Sequence, residues 1–85
     1  MSDLDTRLTR CFITTFPDLN LAQAILATVD NTPGWDSMGA LTLAALIEEE
    51  FGVSFSDDVI PVLRSYADTR RALAEDHSIS EAQGL

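Results

Sequence analysis

The segment from residue 33 to residue 52 carries the signals of a complete α-helix with both ends marked. Pro33 and Gly34 interrupt regular structure before it, and Asp36 is a good N-cap, because its carboxylate accepts hydrogen bonds from the free amides of the first turn. Ala, Leu and Glu, which favour helix, fill most of the interior. Gly52 stands where a left-handed residue ends many helices. The chain is therefore expected to fold around one helix that starts after Asp36 and ends at Gly52.

The apolar residues of this helix occupy two faces rather than one stripe. At about 100° per residue, one face is expected to lie on the core and carries Ala40, Leu43, Ala44, Ile47 and Phe51. The opposite face carries Met38, Leu41, Thr42, Ala45, Glu48 and Glu49. An apolar second face with acids at one end must be covered, either by a partner protein or by a loop of the chain itself.

A helix is predicted before this segment, from about residue 2 to residue 16. Ser2 and Asp5 form a pair similar to a capping box, and a proline follows residue 16. The apolar stripe of this helix consists of Leu4, Leu8, Cys11, Phe12 and Thr15. Arg7 and Arg10 lie off the stripe and are expected in solvent.

The connection between these two helices is expected to be long. It should contain partial helix around residues 19–27, followed by a loop with a turn cluster at residues 30–34. Ile25 and Val29 are expected to anchor it in the core, and Trp35 to pack over the start of the next helix.

Beyond Gly52, residues 53–55 are expected to be extended and to bury two apolar side chains. A helix of one or two turns should follow, because Pro61 fits only a first helical turn. Ser65 then begins a last helix. Residues 77–85, which include His77, are expected to be frayed and solvated.

Length and charge limit the classes of function. A chain of 85 residues is expected to form one domain, 1–85. Its net charge of −9 arises from 14 acidic residues against five arginines. This charge repels phosphate backbones and anionic membranes, so it disfavours nucleic-acid binding and favours a basic protein partner and a monomer.

Cysteine usage and hydropathy limit the cellular compartment and the kinds of metal or membrane interaction that we expect. Cys11 is the one cysteine, so no internal disulfide is expected, and its place on an apolar stripe predicts a buried thiol. The sequence shows no metal-ligand spacing, no signal peptide and no apolar run of about 18 residues. We therefore expect a soluble cytoplasmic protein with no metal and no membrane span.

The sequence lacks the residue groups that an enzyme of this size would need. Ser37 has no histidine near it in the sequence, and the only histidine, His77, lies in the tail. The carboxylates are spread over helix surfaces rather than paired at pocket-like positions. We therefore expect a protein that is not an enzyme.

Two runs of the central segment carry a family resemblance, namely Asp36-Ser37-Met38-Gly39 and Leu46-Ile47-Glu48-Glu49-Glu50-Phe51-Gly52-Val53. They resemble the second helix of acyl carrier proteins, whose signature is Asp-Ser-Leu, a run of aliphatic residues and then Glu-Glu-Phe-Gly. The resemblance is strongest over residues 33–56. It implies an all-α fold, an acyl-carrier-like four-helix bundle with a long first loop and a short third helix.

The resemblance also implies a site. Ser37, with Asp36 beside it, would carry phosphopantetheine through a phosphodiester. The positions that would bind partners are Met38, Leu41, Ala45, Glu48 and Glu49. The implied partners are a phosphopantetheinyl transferase, which uses coenzyme A, and enzymes with basic docking patches that load and transfer acyl or aminoacyl groups.

Some positions differ from the family pattern. Met38 replaces the usual leucine, and Gly39 and Thr42 stand where fatty-acid carriers have acidic residues. Trp35 stands where a small residue is common. The Ser-Met-Gly form resembles aminoacyl carriers such as D-alanyl carriers, and the Gly-Trp-Asp-Ser form resembles stand-alone carriers of specialised or surface-polysaccharide pathways. Fatty acyl, polyketide, aminoacyl and other cargoes therefore stay open. The alternative is an acidic helical docking module without a prosthetic group, which would not require Ser37.

Overall fold

Within the segment 33–52, Ser37–Phe51 forms the long central helix in the computed structural model, which describes residues 3–76. The described elements are α1 (Asp3–Thr15), α2 (Leu21–Ala24), α3 (Ser37–Phe51), a 3-10 turn (Ile60–Val62), α4 (Tyr66–Arg71) and a π-helical turn (Ala72–Asp76) that continues α4. Within these residues there is no strand, so the all-α prediction is confirmed. The predictions for Ser2, for residues 77–85 and for His77 lie outside the described residues.

Helix α3 has the predicted ends. Asp36 is its N-cap, and Gly52 ends it in the left-handed conformation, with φ 67° and ψ 34°. The predicted core face lies inward, with Leu43, Ala44 and Ile47 buried. Local sequence signals at both caps therefore define the helix on which the rest of the chain packs.

Helix α1 runs antiparallel to α3. It buries Leu4, Leu8, Cys11 and Phe12 of its predicted stripe, whereas Thr15 is half-buried. Arg7, which was predicted to be solvated, is only partly so, with 27 % of its side chain exposed. Its guanidinium lies 4.5 Å from the centre of the Phe51 ring. It also donates to the Glu50 carboxylate at 2.7 Å and to the Glu50 carbonyl at 2.6 Å. Because α1 starts beside the end of α3, a long side chain off the stripe still reaches the neighbouring helix; Arg10 is exposed, as predicted.

Four aromatic rings form the centre of the core. Phe12 is fully buried, and its ring centre lies 5.4 Å from that of Trp35 and 5.2 Å from that of Tyr66. Phe16 stacks on Trp35 at 5.5 Å. Trp35 is only 6 % exposed, so it belongs to the core, and it lines a small cavity with Ala40 in the first turns of α3.

The connection between α1 and α3 contains the predicted partial helix, α2. Asn20 and Gln23 form a capping box at its start. Helix α2 turns Ala24 inward, and Ala27 beyond it is also buried, so Ile25 points away and is 42 % exposed. The prediction that Ile25 anchors the connection is therefore wrong. Val29 does pack against the core, as predicted.

Backbone hydrogen bonds fix this connection to the start of α4. The Val29 amide donates to the Arg64 carbonyl at 3.0 Å, and the Tyr66 amide donates to the Ala27 carbonyl at 2.9 Å. An isolated antiparallel bridge pairs Thr28 with Ser65 between them. The loop before α3 therefore has a defined position although it has little regular structure of its own.

The segment after α3 follows the predicted order. Phe55 is buried, and its amide donates to the Glu48 carboxylate at 2.7 Å. The 3-10 turn carries Pro61 in its first turn, which confirms the short helical element. Ser65 caps α4, since its hydroxyl accepts the Asp68 amide at 3.0 Å.

A polar cluster joins α1 to α4. The Tyr66 hydroxyl donates to Asp5 Oδ1 at 2.5 Å, and Arg70 Nε donates to the same oxygen at 2.8 Å. Burial raises the pKa of Tyr66, and the hydrogen bond to Asp5 acts in the same direction. The cluster thus stabilises the neutral phenol of Tyr66 and pairs the charge of Asp5 with that of Arg70.

Cys11 is buried on α1, as predicted. Burial raises the pKa of its thiol to about 11, and the negative charge of Glu50 adds to this effect. The neutral thiol therefore predominates at physiological pH, which fits a packing role rather than a nucleophilic one.

Candidate functional site

Ser37 is the first residue of α3, and its side chain is exposed. The preceding residue, Asp36, is extended, and its Oδ1 accepts the Gly39 amide at 2.9 Å. The amides of a first helical turn and the aligned peptide dipoles make this end of a helix positive. An anionic group bonded to the Ser37 hydroxyl would therefore lie in a favourable field.

A close backbone contact fixes the start of α3. A Cβ atom added at Gly39 would lie 2.2 Å from the Gly34 carbonyl oxygen and 3.2 Å from the Phe16 ring. Gly34 itself has a φ of 89°, which glycine adopts readily. Only a residue without a side chain fits at Gly39, so the loop at Gly34 packs directly on the turn that carries Ser37.

A groove of about 480 Å³ opens beside Ser37. The loop at residues 29–36 forms one wall, and residues 60–64 form the other. Charged residues at its rim are Asp30, Asp36 and Arg64. The groove is large enough to take the inner part of a flexible chain attached at Ser37.

The predicted partner face of α3 is open among the described residues. Met38 is 73 % exposed and Leu41 is 54 % exposed, and Ala45 on the same face is also exposed. No loop within residues 3–76 buries these three side chains. In the described part of the chain, the face is therefore not covered by a loop of the protein itself. The face leads from Ser37 along the helix.

The three acidic residues at the end of α3 have different surroundings. The carboxylate of Glu48 accepts the Phe55 amide, and that of Glu50 pairs with Arg7 at 2.7 Å. Glu49 is exposed and forms no ion pair within residues 3–76. Of the three, Glu49 is therefore the one with an uncommitted charge.

Several other kinds of site are not found among residues 3–76. No group of three or more His, Cys, Asp or Glu residues is placed to hold a metal ion. None of the described helices has the length and apolar character that crossing a membrane requires.

The start of α3 presents an exposed hydroxyl next to a groove and an open apolar face, a geometry that leaves room for a group attached to Ser37. Residues 34–75, just under half of the chain, match the family model described as "Phosphopantetheine attachment site". This segment is therefore similar to the phosphopantetheine-attachment domains of that family. The domains of the family hold phosphopantetheine covalently and are not catalytic, so this domain is a carrier and not an enzyme. No curated protein and no solved structure matches the chain.

The structure brings together residues that the sequence left apart. Asp36, Ser37 and Met38 adjoin one another, as their positions in the chain require. Arg64 lines the same groove as Ser37, and the sequence analysis missed it. Nothing in the sequence pattern signals this pair, because it forms only when the 3-10 turn packs beside α3.

Proposed function

We propose that Ser37 is the attachment residue for phosphopantetheine and that the protein carries an acyl or aminoacyl group. The observation that supports this most is the exposed Ser37 hydroxyl at the N-terminal end of α3, inside the segment that matches the family. The residues present fit the group, since the helix end favours a phosphodiester and the groove lies beside it. When bound, the group supplies a terminal thiol that holds cargo as a thioester.

Attachment is proposed to proceed as a phosphoryl transfer. The Ser37 oxygen attacks the phosphorus next to the pantetheine arm of coenzyme A, and the O–P bond forms as the pyrophosphate bond breaks. The leaving group is 3′,5′-ADP, and the hydroxyl proton passes to a base. No histidine lies among residues 3–76, so a separate transferase is proposed to supply that base.

The proposed arrangement is that of an acyl-carrier four-helix bundle. In it α1, α3, the 3-10 turn and α4 take the places of the four helices, and α2 lies in the long first loop. The core below α3 is closely filled, since the cavity beside Trp35 and Ala44 measures only about 10 Å³. We therefore propose that the cargo is presented outside the core unless core side chains move.

Partner enzymes are proposed to dock on the face of α3 that carries Met38, Leu41 and Ala45. Its exposed apolar side chains supply contact area, and acidic residues supply attraction for a basic patch. Glu48 and Glu49 stay predicted contacts of partner enzymes, and the carboxylate of Glu49 is the more available of the two for a basic patch. A weak and fast electrostatic contact suits a carrier that must leave each enzyme in turn.

Loading tests the attachment residue directly. The folded protein is incubated with coenzyme A and a broad-specificity phosphopantetheinyl transferase, and its intact mass is measured. We expect wild type to gain one phosphopantetheine and Ser37→Ala to gain none. Ser54→Ala, which changes an exposed serine outside α3, should gain the group like wild type. A folded wild type without the gain would contradict the proposal and favour the docking-module alternative.

Matched substitutions separate binding from stability at the end of α3. Glu49→Gln is expected to lower kcat/KM for loading by about two- to fivefold at low salt, the range for an exposed charge pair. Glu50→Gln should leave loading unchanged and lower the melting temperature, because Glu50 pairs with Arg7. Transfer rates at low and high salt and thermal melts measure the two effects. Equal loading by Glu49→Gln and wild type at low salt would remove Glu49 from the docking face.

A further inference from the structure

We propose that Arg64 binds the phosphodiester of the prosthetic group and so holds the inner end of the arm in the groove beside α3. The inference rests on the proposed function, since it requires a phosphodiester at Ser37. It adds a positioning residue from outside α3, on a part of the chain that the helix signature does not include.

The backbone of Arg64 is fixed on both sides. Its carbonyl accepts the Val29 amide at 3.0 Å, and its amide donates to the Asp68 carboxylate at 3.3 Å. The neighbouring residue, Ser65, pairs with Thr28 in the antiparallel bridge. The side chain of Arg64 therefore starts from a defined position on the wall of the groove that Ser37 also lines.

The charge of Arg64 is uncommitted within residues 3–76. Arg7 pairs with Glu50, Arg70 with Asp5, and Arg71 with Asp68. Arg64 is exposed and forms no ion pair in this part of the chain, although acidic residues line the same groove. A free guanidinium on a chain with a net charge of −9 is thus available for an added anion.

The phosphodiester is the group of the arm that Arg64 would meet. It is bonded directly to the Ser37 oxygen, so its position is limited by one side chain, whereas the thiol end of the arm moves widely. A guanidinium binds phosphate oxygens through two parallel hydrogen bonds. The added negative charge would also lie near Asp30 and Asp36, and Arg64 offsets that repulsion.

Thermal melts of loaded and unloaded protein test the inference. Each variant is loaded to completion, which intact mass verifies, and its melting temperature is compared with that of the same variant unloaded. We expect loading to raise the wild-type melting temperature by about 4 °C, a shift within the range that one exposed ion pair gives in a domain of this size. Arg64→Ala should abolish the rise, and Arg64→Lys should keep part of it.

Arg10→Ala is the matched control. Arg10 is also exposed and forms no ion pair within residues 3–76, but it lines a different groove, between α1 and the end of α3. Its substitution should leave the rise unchanged. The 31P chemical shift of the loaded protein gives a second readout, which Arg64→Ala should move and Arg10→Ala should not.

The outcomes separate the two proposals. A wild type that takes up the group and shows the same rise as loaded Arg64→Ala would overturn the role of Arg64 and leave the carrier function standing. If the rise in melting temperature were lost in both Arg64→Ala and Arg10→Ala, the loss would reflect the removal of positive charge in general rather than of one contact. This result would also overturn the role of Arg64. A wild type that takes up no group would overturn both proposals.

Discussion

Gly39→Ala is expected to lower the free energy of unfolding by about 2 kcal/mol, the range for an atom forced into a packed site. Within an ordinary helix the same change stabilises by about 1 kcal/mol, because alanine favours helix over glycine. Here the new Cβ would lie 2.2 Å from the Gly34 carbonyl oxygen. Backbone must shift to admit it, so the sign of the effect reverses.

Urea denaturation of both proteins measures this effect, with Gly52→Ala as the control. Gly52 has a left-handed conformation, with φ 67°, but a Cβ there meets nothing within 4 Å. Gly52→Ala should therefore cost only the backbone strain, about 1 kcal/mol. A Gly39→Ala protein as stable as wild type would mean that the loop at Gly34 yields freely, and the rigid start of α3 would be wrong.

Phe12→Ala is expected to cost about 3–5 kcal/mol, as for other large buried aromatic residues. Phe12 is fully buried and contacts the rings of Phe16, Trp35 and Tyr66, with centres 5.2 to 6.5 Å away. Small domains are stable by about 5–15 kcal/mol, so this loss would leave a visible unfolded population. The ring joins α1 to both the loop before α3 and α4.

Calorimetry and near-ultraviolet circular dichroism measure this loss. Phe12→Leu keeps most of the volume and should cost less, about 1.5 kcal/mol. Met38→Ala changes a side chain that is 73 % exposed and should stay within about 0.5 kcal/mol of wild type. If Phe12→Ala melted within a few degrees of Met38→Ala, the aromatic centre would not be what holds the helices together.

Sequence signals predicted the parts of the fold whose causes are local. The ends of α3 follow from Asp36 and Gly52, each of which acts on its own turn, and the cap at Ser65 follows in the same way. Ile25 was misplaced because its side depends on which face of α2 meets the core. The contacts of Arg7 were not predicted because its partners lie on another helix.

The same division applies to the candidate site. Asp36, Ser37 and the open face of α3 follow from one continuous helix, so the spacing of residues placed them together. The groove and Arg64 depend on how the segment after α3 packs back against it. The internal hydrogen bonds of Glu48 and Glu50 likewise involve residues from other segments, which a helical pattern does not contain.

The position of Trp35 has an optical consequence. It is the only tryptophan in the chain, it lies in the core between two phenylalanine rings, and it is two residues before Ser37. Its emission therefore reports whether the loop that presents the hydroxyl is packed. The protein contains its own fluorescent reporter for the structural integrity of the attachment site.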